Sequence, residues 1–119
     1  MIDLSVIIVN YNVKELLEQC IISVLKAAVN LKIEIIVVDN NSFDGSVSYI
    51  KSKFPAGTEI KLIESPVNLG FARANNLGAA EAGGEYLLIL NPDTILQEDT
   101  LDKSLAFSRT TEKAGAVTC

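Results

Sequence analysis

"LLILNPDTIL", residues 87–96, runs four apolar residues into a proline-fixed polar corner and then resumes its apolar character. Leu87 to Leu90 fit a short strand covered on both faces, the kind that parallel sheets contain. Asn91, Pro92, Asp93 and Thr94 then place an amide and a carboxylate at the strand's carboxyl end. Asn-Pro-Asp is good turn chemistry in its own right. A carboxylate at that place also suits a hard cation, Mg2+ or Mn2+, held mainly by substrate phosphates and water. The ten residues leave both readings open; the topology around them has to choose.

The same strand pattern recurs upstream. Ser5 to Val9 is short, β-branched and apolar without a break, and Ile33 to Val38 and Ile60 to Ile63 read alike. With Tyr86 to Leu90 this makes four strands. Between the first two, Leu16, Leu17, Cys20, Ile21, Val24, Leu25 and Ala28 fall at helical spacing. Asn12 is the expected N-cap of that helix, with Glu15 as its capping-box partner. Asp44 and Gly45 open a second helix, with Val47, Ile50 and Phe54 inward and Pro55 and Gly57 closing it. A third is expected from about Phe71 to Ala82, stopping at Gly83-Gly84. A last helix is expected from Glu98 to Thr110, and "AGAVTC" reads as the entry to a fifth strand.

Strands that alternate with helices imply right-handed βαβ units and an α/β fold with a mostly parallel sheet. The expected strand order is 3-2-1-4, as in Rossmann-like mononucleotide-binding halves. Ligands of such sheets bind outside the carboxyl ends of the strands, where the order reverses. That topology sets "NYN" (10–12) beside "NPD" (91–93), with "DNNS" (39–42) next to both.

Composition narrows the chemistry. The chain of 119 residues fits one domain, and 49% hydrophobic with 21% charged residues fits a packed core. Net charge is -5 and the ten basic residues are scattered, so no nucleic-acid-binding stripe is visible. No apolar run approaches the roughly 18 residues of a membrane span. The start "MIDLSVIIVNYN" has neither a basic n-region nor a small-residue cleavage site, so no secretory signal is expected. Cys20 and Cys119 read as reduced thiols of a cytoplasmic protein. The chain has no histidine, which removes the usual general base and the commonest metal ligand.

Each polar candidate has a structural reading beside a functional one. Asp39 ends the second strand and suits a ribose hydroxyl or a base N–H, or else simply caps a "DNNS" turn. Tyr11 suits a base or ribose, or a half-buried aromatic position. "NLGFARANNLG" (68–78) makes a helix of poor intrinsic propensity whose N-terminus offers N–H groups to an anion. Arg73 reaches a diphosphate there, or is solvated. Neither a GxGxxG fingerprint nor a P-loop occurs.

"LSVIIVNYN", "EIIVVDNNSFDGS", "NLGFARANNLG" and "YLLILNPDT" together resemble the successive signatures of family 2 glycosyltransferases of the GT-A fold. More narrowly, they resemble the rhamnosyltransferase-like branch of bacterial polysaccharide and cell-wall synthesis. The resemblance covers nearly the whole chain, in order and in spacing. It implies an inverting transfer of a sugar from a nucleotide-diphosphate donor to a saccharide or lipid-linked acceptor, with a divalent metal, Mg2+ or Mn2+. Within it, Val9 and Tyr11 stand near the base and Asp39 is the acid that hydrogen-bonds the base. Arg73 and Asn76 lean towards the donor. "NPD" occupies the place of the family's Asp-x-Asp motif, so that Asn91 replaces the first aspartate and Asp93 keeps the metal-binding second. Asn75 stands where many members have an arginine, which weakens any inherited phosphate role at that position. The branch favours dTDP-rhamnose over UDP- or GDP-sugars.

Family members carry another hundred or more residues, including the carboxylate that deprotonates the acceptor. The chain is therefore read as the donor-binding N-terminal portion of a longer enzyme, its catalytic base lying beyond Cys119. Glu98, Asp99 and Asp102 read as first-turn helix charges favoured by the macrodipole. The expected location is the cytoplasm, free or at the cytoplasmic face of the membrane. A sheet ending within its fifth strand leaves an unpaired edge, so self-association is expected. The alternative functions are a nucleotide-binding module without turnover and, ranked lower, a receiver-like signalling domain.

Overall fold

The computed structural model describes residues 1–54, 59–97, 101 and 103. The expected closure of the second helix at Pro55 and Gly57 and the expected fifth strand lie outside these residues. So does the last helix, apart from helical Leu101 and Lys103. The four strands are β1 (Leu4–Asn10), β2 (Ile33–Asp39), β3 (Ile60–Glu64) and β4 (Tyr86–Leu90). Three helices alternate with them: α1 (Lys14–Ala27), α2 (Ser46–Lys53) and α3 (Phe71–Ala80). The sheet is parallel throughout, in the order β3-β2-β1-β4. This is the topology expected from the sequence; β1, β2 and β3 each run slightly longer than their apolar runs.

The two central strands are buried on both faces, which is why they read as unbroken apolar runs. Leu4, Val6 and Ile8 of β1 and Ile33, Ile35 and Val37 of β2 pack against Leu17, Cys20, Ile21 and Val24 of α1 and Ile50 of α2. On the opposite face Ile7, Val9, Ile36 and Val38 pack against Ala74 of α3. Each fully buried isoleucine contributes about 1.5–3 kcal/mol relative to an exposed one. α3 rides close to the sheet because Gly78 has no side chain. A Cβ there would stand 2.7 Å from Ile7 Cγ2 and 3.1 Å from Val38 Cγ2. β4 is the edge of the described sheet, and Leu87 and Ile89 are 52% and 53% exposed on its α3 side.

At the amino-terminal rim the sequence reading missed a buried charge. Glu34 sits within the apolar run of β2, 4% exposed. Its Oε2 accepts hydrogen bonds from Ser5 Oγ at 2.6 Å and from the Gly83 N–H at 2.6 Å, while Lys61 Nζ lies 3.1 Å from Oε1. Burial pushes the Glu34 carboxyl up, but these bonds and the Lys61 ammonium outweigh it and hold the group below its ordinary value. Ser5 Oγ in turn accepts from the Gly84 N–H at 2.8 Å. The network fastens the α3–β4 turn to the sheet.

Asn12 is not the N-cap of α1. The cap residue is Val13, with no side-chain cap bond, so Asn12 and Glu15 form no capping box. Asn12 takes a positive φ of 53°, which asparagine tolerates better than most residues, and turns its Oδ1 to accept from the Phe43 N–H at 2.8 Å. An orphan N–H of the helix start is met instead from the next loop, where Asp44 Oδ2 accepts from Lys14 N at 3.1 Å. α3 ends two residues earlier than expected. Its last turn tightens through Glu81 N to Gly78 O and Ala82 N to Ala79 O, both at 3.1 Å.

Candidate functional site

Strand register fixes what meets at the carboxyl rim. Asn10 pairs with Asp39, and Ile8 pairs with Leu90, so Asn91 leaves β4 at the level of Val9. "NYN", "DNNS" and "NPD" therefore share one rim around β1, where the strand order reverses, as the topology required.

The first two of these loops are stapled together by asparagines. Asn10 Nδ2 donates to Asp39 Oδ1 at 2.8 Å and to Ser42 Oγ at 3.2 Å. Ser42 Oγ also accepts from the Asn12 N–H at 2.9 Å, and the Ser42 N–H donates to Asp39 Oδ2 at 2.9 Å. Asn41, next to Ser42, takes a positive φ of 67°. Asn40 ties the same loop to the entry of α3, with Nδ2 donating to Gly70 O at 3.2 Å and Oδ1 accepting from Leu69 N at 3.1 Å. Gly70, at φ 80°, is the N-cap of α3, which has no side-chain cap bond. The helix start therefore keeps N–H groups suited to an anion.

The fourth loop is shaped by its own turn and by α1. Thr94 N donates to Asn91 O at 3.0 Å, closing a turn with Pro92 at its second position. Cys20 Sγ donates to the same Asn91 carbonyl at 3.7 Å, and Leu96 N donates to Ser23 Oγ at 3.1 Å. Burial, aided by the nearby Asp93 charge, pushes the Cys20 thiol up to about 12. It stays protonated at neutral pH and acts as a donor, not a nucleophile. "NPD" is a turn, as its composition suggested, and the turn presents Asp93 to solvent. The Asp93 carboxylate has no hydrogen-bond or ion-pair partner among the described residues.

The other expected site residues divide. Tyr11 is 44% exposed at the rim, its ring edge-on to Phe43 at 6.2 Å. Asp39 is 3% exposed and Val9 is 8% exposed; the Val9 side chain belongs to the core on the α3 side. Asn91 is exposed beside Asp93. Arg73 lies exposed in the first turn of α3, near the rim. Asn76 falls midway between Ala74 and Gly78, which face the sheet, so it points away from it. The buried member of the pair is Asn75, whose Oδ1 has no partner among the described residues. Sequence reasoning missed Asn10, Asn40 and Ser42 as individuals. Their signal was the clustering of asparagines directly after apolar strands.

Among the described residues no group of three or more acidic, histidine or cysteine side chains is placed to hold a metal ion. The exposed Asp93 carboxylate, without a partner among the described residues, fits a different arrangement, in which a divalent cation would take its remaining oxygens from phosphates and water.

The family model "Glycosyl transferase family 2" matches residues 5–119. An uncharacterized glycosyltransferase of Haemophilus influenzae is 35% identical over 104 residues, 87% of this chain and 41% of that protein. A poly-beta-1,6-N-acetyl-D-glucosamine synthase of Staphylococcus epidermidis is 30% identical over 115 residues, 97% of this chain and 27% of that protein. The structure of a mannosyltransferase from Pyrobaculum calidifontis, in complex with GDP-Man and Mn2+, superposes with a TM-score of 0.88 at 26% identity, over 100% of this chain and 37% of its own. The chain spans less than half the length of each.

Proposed function

Because the chain belongs to glycosyl transferase family 2 and has the GT-A sheet, we propose that it carries the donor side of an inverting glycosyl transfer. In this reading a nucleoside-diphosphate sugar lies across the carboxyl ends of β1, β2 and β4. Tyr11 flanks the base and Asp39 accepts its N–H. The diphosphate lies towards the start of α3, within reach of Arg73, and towards Asp93. A divalent cation bound at Asp93 would neutralise charge on the departing diphosphate. The acceptor hydroxyl attacks the anomeric carbon from the opposite side, forming one C–O bond as the bond to the diphosphate breaks. No described residue is assigned as the base that takes the acceptor's proton. The acceptor in this reading is a saccharide or a lipid-linked saccharide.

The observation that carries this reading is the meeting at one rim of the sheet of Tyr11, Asp39 and an Asp93 that has no partner among the described residues. The GDP-Man and Mn2+ of the Pyrobaculum calidifontis mannosyltransferase support the ligand class. The rhamnosyl branch and dTDP-rhamnose rest on the sequence resemblance. Titration calorimetry with UDP, dTDP and GDP, each with Mn2+ and with a chelator, tests the proposal. At least one nucleotide should bind, and more tightly with the metal; failure of all three under both conditions removes the donor-site assignment.

A further inference from the structure

Resting on that donor-site reading, we infer that Asn10 is a positioning residue for base recognition by Asp39. Asn10 is fully buried at the last position of β1, opposite Asp39 in register. Its amide nitrogen supplies both of its hydrogens, one to Asp39 Oδ1 and one to Ser42 Oγ. Its Oδ1 has no partner among the described residues. The opposite amide orientation would set oxygen against carboxylate oxygen, so the donors have to face Asp39. The amide thus leaves an acceptor unsatisfied in order to hold the carboxylate.

The effect on Asp39 is specific. Oδ1 is held by Asn10 and Oδ2 by the Ser42 N–H, one bond on each oxygen, which fixes the plane of the carboxylate. Each oxygen keeps lone-pair capacity for one more donor. An immobilised acceptor discriminates where a mobile one would not, because it cannot rotate away from a mismatched ligand. Uracil, thymine and guanine carry a ring N–H on their pairing edge. Cytosine carries a lone pair at the corresponding ring nitrogen, which a fixed carboxylate repels. Asn10 therefore acts through Asp39 on the choice of base, and not on the diphosphate or the metal.

Titrations in the full chain with Mn2+ compare UDP, dTDP, GDP, CDP and inorganic pyrophosphate. The preference of the wild type is the ratio of its tightest ring-N–H nucleotide to CDP. Asn10→Ala should lower that ratio about 10-fold, with CDP and pyrophosphate affinities unchanged within about twofold. Equal weakening of every ligand, pyrophosphate included, assigns Asn10 to scaffolding and overturns the inference, as does an unchanged ratio. Asp39→Ala separates the two levels of the argument. If it leaves the ratio intact, the base-reading role of Asp39 fails. If it abolishes the ratio while Asn10→Ala does not, only the role of Asn10 fails. Should Asn10→Ala not fold, Asn10→Leu, close to the same size but with no donor for Asp39 Oδ1, is measured in its place and must lower the ratio in the same direction; a constant ratio there also overturns the inference.

Discussion

Asp93→Ala is expected to abolish the metal-dependent share of nucleotide-diphosphate affinity and to leave thermal unfolding unchanged. The carboxylate is exposed, and no described residue bonds to it. The turn it stands on is closed by Thr94 N to Asn91 O and stiffened by Pro92, neither of which involves the side chain. Its removal should therefore change stability by less than about 0.5 kcal/mol. Loss of the proposed cation ligand is another matter. A cation shared between a diphosphate and one carboxylate loses its charged anchor on the protein, and affinity in Mn2+ should fall about 100-fold, to the level measured with a chelator. Asp93→Asn keeps the turn's shape and removes only the charge, so it should behave like the alanine variant. A nucleotide affinity that still rises with Mn2+ in both variants rejects Asp93 as the ligand.

Gly84→Ala is the substitution expected to harm the fold most. A Cβ at Gly84 would stand 2.6 Å from Ser5 N, 2.6 Å from Ser5 Oγ and 2.9 Å from the Leu4 carbonyl carbon. Most of that contact is backbone of the central strand and cannot swing aside. Relief would require the α3–β4 turn to lift, breaking the Gly84 N to Ser5 Oγ bond and loosening Glu34, a buried charge, from the Gly83 N–H. The overpacking and the disturbed network together should cost about 3 kcal/mol or more. That would lower Tm by about 12 °C in a chain of this size. Gly83→Ala is the control, since a Cβ there meets nothing nearer than Glu34 Oε2 at 3.7 Å. Equal melting temperatures for Gly84→Ala and the wild type would disprove the close-packed turn.

The sheet was legible because β1 and β2 are buried on both faces, which leaves an unbroken apolar signature. Their order was expected by analogy with mononucleotide-binding halves, and with it the meeting of the polar corners at one rim. The interactions that shape those corners were not legible. Asn12 reads as an N-cap by its distance from the apolar run, yet its side chain is drawn to Phe43, 31 residues away in sequence. No local pattern encodes a partner that only folding brings near. Glu34 was hidden for the same reason: within an apolar run nothing announces that Ser5, Gly83 and Lys61 converge on it. Position 76 illustrates a different limit. A motif aligned by residue type says nothing about which side of a helix it occupies, and helical spacing from Ala74 and Gly78 turns Asn76 away from the sheet while burying Asn75.

The most direct measurement is a crystal structure of the protein with Mn2+ and whichever of UDP, dTDP or GDP binds tightest. The base should lie beside Tyr11 with a ring N–H on Asp39, and the diphosphate should share its cation with Asp93 at the carboxyl ends of β1 and β4. A nucleotide seated at the amino-terminal rim, or a cation bound without Asp93, would contradict it.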